Sequence, residues 1–309
     1  MDRRLCVLGA LMLSASAALA QEASGPPPVL AIAREEIKAG KGAAHARSVA
    51  TFVAALARAD APLYRIALTP LSGDDNAVVY LQAFGSFADV EASHKKFEET
   101  IAANAAFKAD LDRLDREEVD QHASQRTAYY TLRSDLSYHP HDTEQVARSR
   151  FMSVNTTRIK PGRAPDYVDY VKALNVAREK AGIDIHTAVY QVATGAPIGT
   201  FLSFTSMKSL SDLDDARQRM EKSQKALDDA LGGPDVVKQR RMLISEIVAD
   251  GYNTVYAMNP SLSRPNALIA AADPDFWNPK PAAATKALAA KKEAPKAKDA
   301  AKAKETPKP

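Results

Sequence analysis

Val29–Glu36 alternates, with Leu30 and Ile32 on one side and the small residues Ala31 and Ala33 on the other, which predicts a strand. The turn Ala39-Gly40-Lys41-Gly42 follows, and from His45 to Ala59 the spacing changes. Val49, Phe52, Val53 and Leu56 recur at helical intervals and predict an amphipathic helix. Pro62–Leu71 returns to alternation, with Tyr64, Ile66 and Leu68 on one face. Gly73-Asp74-Asp75-Asn76 supplies a hairpin turn, and Ala77–Phe84 is a third strand. Ser86 opens a long helix with Phe87, Val90, Phe97 and Ile101 as its apolar stripe and Glu91, Lys95, Lys96, Glu98 and Glu99 on its wet face; it is expected to run in pieces to about Val119. Gln125–Leu132, rich in Thr and Tyr, is the fourth strand, so the order is βαββαβ.

The order then repeats. Strand Phe151–Arg158, helix Pro165–Ala181 and strands Asp184–Val192 and Gly199–Thr205 are followed by a helix over Leu210–Leu231, ended by Gly232-Gly233-Pro234. A last strand is expected at Arg241–Val248, extending to Tyr256 past a break at Gly251. Ile37-Lys38-Ala39-Gly40-Lys41 recurs 122 residues later as Ile159-Lys160-Pro161-Gly162-Arg163, and the same offset carries Pro70–Gly73 onto Val192–Gly195. The second helices align at 123, which one inserted residue in or beside the third strand explains. The pattern reads as an internal duplication. One βαββαβ unit forms an antiparallel sheet with both helices on one face and the other face bare. Two such sheets in one chain cover each other. The predicted class is therefore α+β, two fused ferredoxin-like repeats packed sheet to sheet as an intramolecular barrel.

The quoted residues carry a resemblance. Arg34–Lys41, its echo Ile159–Arg163, and the helix opening Ser-Phe-Ala-Asp-Val-Glu at Ser86–Glu91 resemble the dimeric α+β barrel superfamily, a ferredoxin-like group with small monooxygenases, stress-responsive barrels and NIPSNAP-like proteins, over residues 29–258. That group hosts cofactor-free oxygenases, haem enzymes, isomerases and proteins without known chemistry. The resemblance thus implies a fold and leaves the activity open.

Composition divides the chain further. Met1-Asp2-Arg3-Arg4, the apolar run Leu5–Leu13 and the exit Ala18-Leu19-Ala20 match a cleavable Sec-type signal over 1–20, predicting a periplasmic or secreted protein. A Pro-rich linker (21–28), a first repeat (29–135), a connector (136–149), a second repeat (150–258) and an extension (259–279) follow, and then a Lys/Ala/Pro tail (280–309) with the composition of disorder. Residues 280–309 carry a net +6 and the first twenty +1, so of the chain's +3 residues 21–279 hold −4. Basic character belongs to the tail, which is expected to be a solubilising or spacing segment, the alternative being contact with an anionic envelope surface. The acidic remainder argues against nucleic-acid binding. No stretch is long and apolar enough for a transmembrane helix, and a monomer or weak homo-oligomer is expected. The only cysteine, Cys6, lies in the signal, so disulfides and thiolate chemistry are excluded from the mature chain.

No hydrolase, zincin or nucleotide-loop motif is present, and no catalytic residue is assigned. His94, three residues before Phe97, could reach a pocket between helix and sheet as a base or axial ligand, or simply face water beside Lys95 and Lys96. Tyr64 and His186 are equivalent under the 122-residue offset and are expected as pocket-facing rings or half-buried structural ones. Arg34 and Arg158 end the first strand of each half and could hold a carboxylate or be solvated. His139-Pro140-His141-Asp142 lacks a fixed geometry for a metal, and no metal site is predicted. The expected function is a small-molecule-binding barrel for an apolar or aromatic ligand at Tyr64, His94, His186 and Arg34, with no cofactor required. The alternatives are a cofactor-free or haem-assisted monooxygenase using His94 or His186, and an envelope interaction protein working through the tail.

Overall fold

The computed structural model describes residues 25–278; the signal segment 1–20 and the tail 280–309 lie outside the described residues. Strand β1 (Val29–Ile37) turns at Gly40 into helix α1 (Gly42–Arg58), and the hairpin β2 (Ile66–Pro70) and β3 (Ala77–Phe84) follows. The predicted second long helix is two, α2 (Phe87–Ala103) and α3 (Ala105–Glu118). Asn104 breaks it in extended conformation and caps α3 by accepting from the Phe107 amide at 2.9 Å. Strand β4 (His122–Leu132) completes the first half.

A connector with the short helix α4 (Thr143–Ala147) leads to β5 (Phe151–Ile159), α5 (Ala164–Lys180), β6 (Ala188–Thr194), β7 (Thr200–Met207), α6 (Ser211–Ala230), α7 (Pro234–Ile247) and β8 (Val248–Met258). The strands close into one barrel in the order β1-β3-β2-β8-β5-β7-β6-β4. Each half supplies a four-stranded antiparallel sheet, and β2 pairs with β8 while β6 pairs with β4 to close the two seams. This is the expected α+β barrel, and closure leaves no strand edge free among the described residues.

The halves match in detail. Gly40 and Gly162, the glycines of the repeated phrase, have φ of 78° and 79°, left-handed values that relieve them of any Cβ clash where strand turns into helix. The β1–β4 register shifts between Glu36 and Ile37, and the β5–β8 register shifts between Arg158 and Ile159, 122 residues on. A β-bulge at the same place in both halves bends both sheets alike.

Four expectations change. Arg241–Val248 is not a strand: its apolar residues Leu243, Ile244 and Ile247 lie on the buried side of α7, which restarts at Pro234 after Gly233. The closing strand is Val248–Met258, whose polar start pairs with β5 although its composition argues against a strand. The second strands are shorter than predicted, so Tyr64 and His186 each stand two residues before their strand. Strand β4 begins three residues earlier than predicted, at His122.

Alternation sorts the strand residues onto two surfaces. Leu30, Leu68, Val79, Tyr130, Val154, Leu202 and Tyr256 fill the barrel interior. The opposite faces carry Ile37, Val78 and Tyr80 against α1, and Ile159 and Phe201 against α5 and α7. Residues 259–278 fold back through helices α8 (Ala267–Ala272) and α9 (Pro274–Trp277). Trp277 plugs one end of the barrel and donates its indole N–H to the Ala147 carbonyl at 2.8 Å. No helix among the described residues is long and apolar enough to cross a membrane.

Candidate functional site

Tyr64 and His94 share a cleft. Both line a half-open cleft of about 450 Å³ between α2 and the end of β3, together with Leu63, Gln82 and Phe97. Tyr64 is 46% exposed, and the Arg264 guanidinium lies over its ring at 4.8 Å; His94 is exposed as well. His186 is turned toward the connector: Nδ1 donates to the His139 carbonyl at 2.7 Å, Nε2 lies 3.1 Å from Asp184, and the ring stacks on His141 at 4.3 Å. His141 reaches Ser206 through Nδ1, and burial together with the adjacent His186 lowers its pKa. His139 stacks instead on Tyr138 and approaches Glu179, so the two histidines of the His-Pro-His run point to different neighbours.

Arg34 is on the inner surface, where it meets partners from other strands. It lines a lumen cavity of about 300 Å³ with Arg126 of β4 and Arg158 of β5, at the end opposite the Trp277 plug. The walls beneath them are apolar and aromatic, from Leu81, Tyr130, Leu202 and Phe204. Arg34 is held by Asp74 at 2.8 Å and Glu36 at 3.5 Å, and Arg126 lies 3.9 Å from Glu36. Arg158 has no ion-pair partner within 4.0 Å among the described residues.

The group that sequence reasoning missed lies on the other face of β1. Glu35 points outward beneath α1, where its Oε2 is 2.8 Å from His45 Nε2 and 3.5 Å from His122 Nε2. The imidazole rings meet edge to face, with centroids 5.2 Å apart. His45 is 2% exposed, and the side chains of Glu35 and His122 are 17% and 11% exposed. Burial raises the Glu35 pKa, but the His45 bond and the positive field of Arg65 outweigh it, and the carboxyl sits below its ordinary value. Glu118 is pushed the other way, by burial and by repulsion from Glu35. Arg65 lies over the Tyr80 ring at 3.8 Å, and burial raises the Tyr80 phenol. Glu35, His45 and His122 are the one set of metal-ligand side chains that converges among the described residues. One signal could have pointed there: Glu35 is a charge on the alternate face of β1 that otherwise carries Ala31, Ala33 and Ile37.

No family model and no curated protein matches the chain. Among solved structures it is similar to an anthrone oxidase-like protein at 11% identity, covering 75% of this chain and 91% of that one with a TM-score of 0.44. It is similar to a candidate monooxygenase from Fusobacterium nucleatum at 10% identity, over 75% of this chain and 93% of that one, TM-score 0.44. A mutant chlorite dismutase from Candidatus Nitrospira defluvii, in complex with cyanide, matches at 10% identity over 80% of this chain and 95% of that one, TM-score 0.42.

Proposed function

We propose that this protein is a small-molecule-binding barrel of the cell envelope that takes a compact ligand with an apolar or aromatic body and one anionic group. The body lies in the lumen against Tyr130 and Phe204, and the anion lies at Arg34, Arg126 and Arg158. The observation that carries this reading is the convergence of guanidiniums from β1, β4 and β5 over apolar walls. An arginine fork suits a carboxylate in two parallel bonds, and an apolar wall beneath it selects what the carboxylate is attached to. Arg158 is the natural anchor: its cross-strand neighbour Asp250 also lines the cavity but forms no ion pair with it within 4.0 Å, whereas Asp74 and Glu36 hold Arg34 and Glu36 lies near Arg126.

The test is a panel of aromatic and aliphatic carboxylates beside their uncharged amides, read by thermal shift and native mass spectrometry. Carboxylates should bind and amides should not, and Arg158→Ala should weaken binding by about 10- to 100-fold, the scale of one charge-assisted bond. Equal binding of amides, or no binder in the panel, would overturn the reading. The envelope location is supported by the signal-like pattern of Met1–Ala20. The matched bulges support descent of both halves from one βαββαβ unit, in the manner of NIPSNAP-like and small-monooxygenase barrels. Because the two sheets cover each other within one chain, the reading also holds the protein to be a monomer or weak homo-oligomer.

The cleft shared by Tyr64 and His94 favours a second reading, a cofactor-free or haem-assisted oxygenase with His94 as base or iron ligand. Titration with haemin should then give a Soret band that His94→Ala removes, or quinol-type substrates should be consumed by the colourless protein. Failure of both removes this reading.

A further inference from the structure

Consecutive residues of β1 serve different sites: Arg34 faces the lumen, and Glu35 faces α1. We propose that Glu35, His45 and His122 form a binding site for one divalent transition-metal ion of the zinc class, separate from the lumen.

The donor set comes first. Two imidazoles and one carboxylate are the ligands that zinc and iron(II) accept in sites with three protein ligands. With Cys6 the only cysteine, no thiolate competes for a softer ion, and the imidazoles argue against calcium or magnesium. Geometry agrees. The three ligand atoms lie within 4.8 Å of one another, and the two distances to Glu35 are 2.8 and 3.5 Å. Bonds of about 2.1 Å in a tetrahedral shell put neighbouring ligand atoms about 3.4 Å apart, so small side-chain adjustments suffice.

Satisfaction and charge point the same way. A Glu35–His45 pair accounts for two members of the set. It leaves His122 Nε2 buried with no hydrogen-bond partner among the described residues. Glu35 and Glu118 repel each other beside Arg65. A divalent cation gives His122 Nε2 a partner and offsets that repulsion.

The second half provides the control. Counted from the matching bulges and the repeated turn, the equivalents of Glu35, His45 and His122 are Thr157, Tyr167 and Val248. There Tyr167 packs on Phe201 at 4.7 Å, next to Val248. The fold therefore does not require a polar set at this place, and burying one is unfavourable unless something binds it. Three protein ligands leave a further coordination position, which the partly exposed side of Glu35 opens to water.

The test uses the full chain, stripped with a chelator and titrated with ZnCl2 by calorimetry and with CoCl2 by visible absorption. One equivalent should bind, with a Co2+ d–d band. His45→Ala and His122→Ala should each weaken Zn2+ binding by about 100-fold, at or above the scale of losing a supporting partner. The triple replacement Glu35→Thr, His45→Tyr, His122→Val copies a set the fold already carries and should abolish binding with unchanged circular dichroism. His139→Ala with His141→Ala should leave binding intact. If the single variants do not fold, imidazole NMR of the wild type decides: Zn2+ should move the signals of two of the six histidines. No binding by the intact chain, undiminished binding in the triple variant, loss in the His139/His141 variant, or Zn2+-shifted signals from other histidines would overturn the proposal.

Discussion

Glu35 and Thr157 occupy the same position in the two halves, each two residues before the residue at which the register with the neighbouring strand shifts. Glu35 meets His45 at 2.8 Å, whereas Thr157 donates to Asn155 of its own strand at 2.8 Å and Tyr167 packs on Phe201, so one scaffold position has been filled with opposite chemistries. The polar filling is the more fragile. A buried carboxylate that loses its partner keeps its desolvation cost without compensation.

His45→Ala should therefore destabilise the protein by about 2–4 kcal/mol. The triple replacement with the residues of the second half should recover most of that loss, because it removes the charge along with its partner. Urea unfolding followed by circular dichroism measures both, and an equal loss in the two variants would contradict the account.

Trp277 is the only tryptophan and is 3% exposed at the plugged end of the barrel. Trp277→Ala should cost about 3–5 kcal/mol, the usual range for emptying a large buried site. In the wild type its fluorescence should be blue-shifted and should red-shift together with the circular dichroism transition. A separate, earlier fluorescence change would mean that residues 259–278 detach on their own.

Two left-handed glycines should respond differently to alanine. At Gly195, φ is 83° and a Cβ would overlap the Thr127 carbonyl oxygen and lie 2.7 Å from the Ala128 Cα, across the β4–β6 seam. Gly162 has φ of 79° with nothing within 4 Å. Gly162→Ala should cost about 1 kcal/mol, from backbone conformation alone. Gly195→Ala should cost about 3 kcal/mol or more, because strain and overlap add. Thermal melts of the two variants rank them.

Asp135 accepts two bonds from Arg133, at 2.8 and 2.9 Å, and lies 3.0 Å from Lys172. The Arg133 guanidinium, with Lys172 beside it, holds the Asp135 carboxyl well below the usual carboxylate range. A folded-state pKa below the unfolded one means stability that is present above about pH 4 and lost as pH falls through the folded value. Asp135→Asn should remove that part of the acid slope. The pair is partly exposed, so the change should stay under about 1 kcal/mol. Urea midpoints between pH 2 and pH 6 read it.

Residues 280–309 hold nine lysines against three acidic residues. Deletion after Asn278 should leave the melting temperature of the barrel unchanged and reduce retention on anionic vesicles, more so at low salt. Equal retention with and without the tail would remove the envelope-surface role.

The architecture was legible in local patterns along the chain. Period-2 and period-3.6 patterns placed seven of the strands, and the recurrence of Ile-Lys-x-Gly-Lys/Arg identified two equal halves, because local side-chain alternation and a left-handed turn are properties of a few neighbouring residues. Those patterns misread Arg241–Val248, where a short apolar run suits a buried strand or a helix face equally and only packing under α7 decides. Local context also singled out Tyr64, His94 and Arg34, and the first two do share a cleft. Only the tertiary structure brought Glu35, His45 and His122 together. They are 10 and 87 residues apart in the chain, on a strand, a helix and another strand, and the contact depends on the β1–β4 pairing and its bulge. In the same way the lumen gathers Arg34, Arg126 and Arg158 from three strands, because closing the barrel turns positions that are remote along the chain into neighbours around a ring.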